Sequence, residues 1–152
     1  MYNDAAYMCH EDCSSRTGVI VMMNGSVIMA KSFKQKLVTK SSSEAELVAL
    51  CEGGSCGLIC RQFLDLQGYN VQTSVIHEDN KAVIDMIKKG HPTSYKTKHI
   101  QMRNFFMTQH VESKEFNLTW CKTGDMLADM LTKPLLAGSF TNLRDKVIGE
   151  IV

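Results

Sequence analysis

Four carboxylates, Asp4, Glu46, Asp79 and Asp129, fall one apiece into four separate segments of the chain, each where a strand or turn hands over to another element. Packing and solubility do not call for that spacing. A fold that must converge acids from different elements on divalent cations does. Like charges brought together raise one another's pKa, so a gathered set takes up a proton or a cation unless a positive group offsets it. Oxygen-only ligands from Asp and Glu suit magnesium or manganese rather than zinc. Two such ions about 3.5–4 Å apart can activate a water, hold a scissile phosphate and stabilise the departing oxygen, so no protein nucleophile is required. The chain has no H-E-x-x-H and no phosphate-binding glycine loop, which would have pointed to other reaction classes. Metal-dependent phosphodiester hydrolysis is the chemistry expected.

The elements that must position these acids are read from local pattern. Residues 17–23 and 26–31 are β-branched apolar runs separated by Asn24-Gly25, a hairpin signal because a type I′ turn needs positive φ at both central residues. Ser41 with Glu44, or Ser43 with Glu46, fits a capping box opening a helix that runs to Leu66, with Gly68 beyond its end. Gly53, Gly54 and Gly57 give that helix an unusually small face with Glu46 and Ala49, which implies close backbone packing or a break. Residues 74–77 form a short strand. Asn80 then caps a helix striped by Val83, Met86 and Ile87 and stopped by Gly90 and Pro92. A further helix covers 98–111, with Met102, Phe105, Phe106 and Gln109 in one sector, and residues 116–120 alternate as a half-buried strand. A short helix over 126–132 is closed by Pro134, and another over 140–152 packs on the body. This order argues an α/β domain, a mixed sheet flanked by helices. Asp4 then lies on the first extended segment, Glu46 in the first turn of the long helix, Asp79 at a strand's carboxyl end, and Asp129 in the short helix after the last strand. Carboxyl ends of strands are where sites in such sheets are built.

The chain's 152 residues suffice for one domain, with a core over 2–135 and a helical extension over 136–152. Its 44% hydrophobic and 22% charged residues are those of an ordinary globular protein. Neither an apolar run long enough for a membrane nor a signal peptide is apparent. An intracellular, cytoplasmic location follows, with the six cysteines as free thiols. Cys9-His10 with Cys13, and Cys56 with Cys60, lack the two well-spaced pairs that zinc asks for. Lys and Arg number 17 against 16 acids. Between Lys81 and Lys122, however, eight basic residues face three acids, which suits either a phosphate backbone or a solvated surface.

An ordered series of blocks carries a resemblance. Asp4-Ala5-Ala6-Tyr7, Ser15-Arg16-Thr17-Gly18, Ser42-Ser43-Glu44-Ala45-Glu46-Leu47, Glu78-Asp79-Asn80-Lys81-Ala82, Thr97-Lys98-His99-Ile100 and Ala128-Asp129-Met130-Leu131-Thr132-Lys133-Pro134-Leu135 resemble the ribonuclease H domain of copia-type LTR retrotransposon polyproteins. The resemblance implies a ribonuclease H-like fold with a five-stranded mixed sheet, and cleavage of the RNA strand of RNA/DNA hybrids during reverse transcription. It implies two Mg2+ ions, with Mn2+ as a substitute, held by Asp4, Glu46, Asp79 and Asp129. It also implies an adjoining reverse transcriptase domain as a partner, within virus-like particles, and no membrane. Glu46-Leu47-Val48-Ala49 matches the family's E-L-x-A, which selects Glu46 over Glu44 as the ligand and leaves Glu44 to the cap.

Ser42, Ser43 and Asn80 adjoin the acids and are candidates to read the 2′-hydroxyl that separates RNA from DNA, with Lys98 and His99 as further nucleic-acid contacts. His99 also has a purely structural reading, Asp125 reads as a helix cap, and Trp120 with Phe116 and Leu118 reads as core. Two departures from the pattern stand out: Lys122-Thr123-Gly124-Asp125 replaces a histidine found before the last acid in some ribonucleases H, and only Met1-Tyr2-Asn3 precedes Asp4, which suggests a truncated first strand. Ala6, where the family often has a second Asp, is a milder difference. A catalytically inactive or truncated domain that serves as a structural or nucleic-acid-binding part of a reverse transcriptase polyprotein is therefore the alternative; an integrase or junction resolvase on the same fold requires another arrangement of acids.

Overall fold

The computed structural model describes residues 1–90 and 98–148, so the stop at Pro92, Thr97 and the last residues of the expected C-terminal helix lie outside them. Five strands, β1 (Tyr2–Ala6), β2 (Arg16–Met23), β3 (Ser26–Lys34), β4 (Ser74–Glu78) and β5 (Phe116–Trp120), form one sheet in the order β3-β2-β1-β4-β5. The hairpin side is antiparallel, while β1, β4 and β5 run parallel. The mixed five-stranded sheet flanked by helices is therefore what the chain forms. Asn24 and Gly25 turn the hairpin at φ of 50° and 80°, the pair of positive angles that the Asn-Gly signal demands.

Helix α1 (Ser42–Leu66) begins at Ser41, whose hydroxyl accepts from the Glu44 amide at 3.2 Å, while the Glu44 carboxylate accepts from the Lys40 amide at 2.8 Å. Glu44 is thus committed to the cap, and Glu46, half a turn on, is free to point inward. Gln35 fixes the same end from another direction, donating to Thr17 on β2 and to the Ala45 carbonyl, both at 3.0 Å. No break occurs at the three glycines. Instead Gly53 and Gly57 let α1 lie close on the sheet, where a Cβ would meet the Asn3 amide oxygen at 1.9 Å and the Met1 sulfur at 2.5 Å, while one on Gly54 would meet the sulfur of Met107 at 2.9 Å. By length and composition α1 could cross a membrane, contrary to the expectation of no such run, yet its Leu47, Val48 and Leu50 are buried in a core with Ile76, Val83, Ile87, Met107 and Phe116.

Helices α2 (Lys81–Lys89) and α3 (Lys98–Glu112) pack on the same face as α1. Asn80 caps α2 by accepting from Ala82 and Val83, and Gly90 ends it in the left-handed conformation. In α3 the buried residues are Ile100, Asn104, Met107 and Thr108, not the sector of Met102 and Phe105, which are exposed. The opposite face of the sheet is covered by a 3-10 helix (Leu127–Leu131) and by α4 (Ala137–Ile148), through Leu127 and Leu143 against Ile20. α4 starts three residues before the expected position. Gly18 on β2 is what allows the 3-10 helix to come so near: a Cβ there would meet the Ala128 carbonyl at 2.8 Å and the Thr132 methyl at 2.7 Å.

Candidate metal centre

Strand register brings the first two acids together. β1 and β4 are parallel with Tyr2 opposite His77, so two residues further along each strand Asp4 comes alongside Asp79. Glu46, the fifth residue of α1 and so one turn further in than the first turn expected for it, enters from the helix, and one carboxylate oxygen from each of Asp4, Glu46 and Asp79 lies within 4.8 Å of the others. Asp4 is fully buried and Glu46 buried, whereas Asp79 is partly open. One Glu46 oxygen, Oε2, is buried with no hydrogen-bond partner. A buried, unpartnered carboxylate oxygen costs free energy unless something fills its coordination, and an all-oxygen donor set of this size is what a hard divalent cation takes. The three side chains fit magnesium or manganese.

Asp129 reaches the site by a different route. It lies in the 3-10 helix seated over Gly18, the residue paired with Asp4 across β1 and β2. Its Oδ1 accepts from the Lys133 ammonium at 2.9 Å, and the same ammonium donates to Asp4 Oδ1 at 3.1 Å. Asp4 and Asp129 therefore share one positive charge, and Asp129 stands beside the group of three rather than within it. The other oxygen of Asp4 accepts from the Thr132 hydroxyl, and Asp79 Oδ2 accepts from the Thr123 hydroxyl at 3.0 Å. Burial by itself pulls Lys133 down, but Asp4 and Asp129 outweigh it and hold the ammonium above its ordinary range. Lys133 and Thr132 lie in a segment singled out only for its family likeness; their contacts depend on the fold.

Glu78 was not anticipated. It alternates with Ile76 on β4 and is fully buried, with Oε1 accepting from the Asn80 amide at 3.0 Å and Oε2 without a partner. Burial, then the charges of Asp79 and Asp4, push its pKa up to about 8. Burial, then Glu78, Asp4 and Asp79, push Glu46 up to about 10. Both groups hold a proton more tightly folded than unfolded, so the stability they contribute is complete below the ordinary glutamate range and is lost as pH rises through the folded values. Thermal melts in EDTA are accordingly expected to show a falling midpoint from pH 5 to pH 9. A flat profile across that window would mean that the two side chains are not confined as described.

The other expected contacts divide. Asn80 Nδ2 lies 3.5 Å from the Ser43 hydroxyl, with its Oδ1 engaged in the α2 cap; Ser42 is exposed at the start of α1. Lys98 and His99 are exposed in the first turn of α3. Neither side chain has a hydrogen bond or ion pair with the acids among the described residues. Asp125 caps no helix; it pairs with Lys146 of α4 at 2.7 Å. Trp120, expected in the core with Phe116 and Leu118, is 49% exposed; it is the last residue of β5, and of the described residues Lys81 of α2 carries its ammonium over the ring. Gly53-Gly54-Ser55-Cys56-Gly57 matches the letters of G-x-S-x-G but sits in mid-helix, where the Ser55 hydroxyl donates to the Cys51 carbonyl; the sharp strand-to-helix turn of a nucleophile elbow is absent.

No protein-family model matches the chain. The Pol polyprotein of transposon RE1 from Arabidopsis thaliana is 32% identical over 149 residues, 96% of this chain and 10% of that protein. The Pol polyprotein of transposon TNT 1-94 from Nicotiana tabacum is 29% identical over 133 residues, 88% of this chain and 10% of that protein. A truncated Ty1-A Gag-Pol polyprotein from Saccharomyces cerevisiae is 27% identical over 96% of this chain and 12% of its own length. The chain thus spans about a tenth of the curated relatives it matches. Among solved structures, the N-terminal RNase H domain of a Mycobacterium tuberculosis protein superposes with a TM-score of 0.60 at 13% identity, covering 95% of this chain and 94% of that one. An RNase H1 crystallised with an RNA/DNA hybrid superposes at 0.62 with 12% identity, covering 86% and 91%.

Proposed function

We propose that this chain, which has the ribonuclease H fold and is related over nearly its whole length to one segment of Ty1/copia-type retrotransposon Pol polyproteins, hydrolyses the RNA strand of RNA/DNA hybrids with the help of divalent magnesium or manganese. The observation that carries the reading is the meeting of Asp4, Glu46 and Asp79, from three separate elements, within 4.8 Å, with a buried Glu46 oxygen left unpartnered. Asp4, Glu46 and Asp79 are the residues that would hold one ion, and Asp4 with Asp129 those that would hold a second. Bound there, the ions supply water activation and neutralisation of charge on the phosphate.

The chain's own side chains do the positioning. Thr132 and Lys133 orient the two oxygens of Asp4, and Thr123 holds one oxygen of Asp79. Asn80, with its carbonyl committed to the α2 cap and one amide N–H donated to the Ser43 hydroxyl, has its second amide N–H to offer a sugar hydroxyl beside Ser43 and Ser42. Lys98 and His99 contribute contacts to the phosphate backbone. Such contacts are largely independent of sequence and sensitive to salt. The partner that fits this reading is an adjoining reverse transcriptase portion of the same polyprotein, and the Pol polyproteins to which the chain is similar support the polyprotein context.

Lys133 also favours a second reading. An ammonium already shared by Asp4 and Asp129 does part of a cation's electrostatic work, as in a domain that binds hybrid without cutting it. Incubation with end-labelled hybrid separates the two. Cleavage confined to the RNA strand, present with Mg2+ or Mn2+ and abolished by EDTA, is expected; binding without cleavage at any metal concentration supports the inactive module. Magnesium at pH 8 should also raise the melting midpoint relative to EDTA, since an ion bound only by the folded state stabilises it by mass action.

A further inference from the structure

Beside the acid cluster, β5 ends on a large aromatic side chain that the hydrolytic chemistry does not use. Strand alternation puts Trp120 on the side of Phe116 and Leu118, which are buried, yet about half of Trp120 is open to solvent. It is nonetheless held in place. Its indole N–H donates to the Asp79 carbonyl at 3.2 Å, so the ring is tied to the backbone of a residue that contributes to the acid cluster. Lys81, in the first turn of α2, carries its ammonium 4.5 Å from the ring centroid, the separation of a cation–π contact. The carboxylate of the same Asp79 accepts from the Thr123 hydroxyl. The result is an oriented, amphipathic surface of one ring and one positive charge beside Asp79, with no acid paired to Lys81 among the described residues.

We propose that Trp120 and Lys81 form a subsite for the nucleic-acid strand next to the scissile phosphate, with the indole face packing on a sugar or base and the Lys81 ammonium turning from the ring to a backbone phosphate. This inference rests on the hybrid-binding reading above and extends it to residues outside the acid set. Three properties of the pair fit a nucleic-acid strand. The ring is anchored at its N–H edge, so stacking costs little conformational freedom. The charge beside it sits on a flexible stem. Aromatic stacking accepts any base, as a nuclease with little sequence preference requires.

Trp120 is the only tryptophan in the chain, which makes the test direct. The full chain is titrated with RNA/DNA hybrid in EDTA, so that nothing is cut, while indole emission and the anisotropy of a labelled hybrid are followed together. Expected are a quench of emission that saturates with the anisotropy, an approximately tenfold weaker hybrid affinity in Trp120→Ala, near-parental affinity in Trp120→Phe, which keeps a ring, and a reduced salt dependence in Lys81→Ala. Thermal melts of each variant report whether it is folded. Binding by anisotropy with unchanged emission, together with parental affinity in folded Trp120→Ala, would overturn this subsite and leave the proposed function standing. No binding of hybrid by the parent chain would overturn both.

Discussion

Asp79→Asn is expected to lower the rate of hybrid cleavage at saturating magnesium by at least about a hundredfold, with the melting midpoint in EDTA unchanged or slightly raised. The magnitude follows from what the substitution removes. Loss of a group that merely orients a metal ligand costs about 10- to 100-fold, and loss of a charged ligand itself costs more. Asp79 is partly open, is held by a single side-chain contact from Thr123, and lies beside Asp4 and Glu46. An amide of the same shape therefore removes repulsion in the metal-free protein while weakening its hold on the cation. Steady-state cleavage and calorimetric titration with Mg2+ measure the two effects separately. Parental turnover in this variant would remove Asp79 from the reacting set.

Gly18→Ala is expected to destabilise the fold by about 1–3 kcal/mol and to depress cleavage in the fraction that remains folded. A methyl group at this position would stand 2.8 Å from the Ala128 carbonyl and 3.1 Å from Leu131 Cβ. The backbone of the 3-10 helix must therefore lift from β2, since side-chain rotation alone does not clear a carbonyl. Lifting it carries Asp129, Thr132 and Lys133 away from Asp4, which faces Gly18 across the strand pair. Gly138→Ala is the control. Beyond its own turn of α4, nothing among the described residues lies within 4 Å of a Cβ at that position, so alanine there should be neutral or stabilising by up to about 1 kcal/mol. Equal melting midpoints for the two variants would mean that the 3-10 helix does not depend on the bare backbone at Gly18.

Much of the architecture was legible because its signals are local. Asn24-Gly25 dictates a turn by its own backbone preferences, and Ser41 with Glu44, or Asn80 with Gly90, marks a helix end within a few residues. The side of α3 that faces the core was not legible. Apolar residues lie all round that helix, and packing against α1 and α2, not periodicity, selects Ile100 and Met107 over Met102 and Phe105. The convergence of Asp4, Glu46 and Asp79 was anticipated as an arrangement, but Lys133 and Glu78 were not. Lys133 meets Asp4 only because a 3-10 helix far along the chain settles over Gly18. Glu78 had a readable sign in its two-residue alternation with buried Ile76, which a charged residue at a strand's end easily obscures. Trp120 misled for the opposite reason: alternation gives the direction of a side chain, whereas burial also requires a layer above it.

The double anchorage of the α1 start, by the Ser41 cap and by the Gln35 amide on the Ala45 carbonyl, makes the helix behave as an indexed shaft. An α-helix advances about 100° per residue, so shortening the segment between Gln35 and Ser41 by one residue and shifting the cap along the chain would swing the Glu46 carboxylate through more than a quarter turn and bring Ala45 or Leu47 round in its stead. Tolerance to changes in the length of that connector is thus a mechanical gauge of the centre.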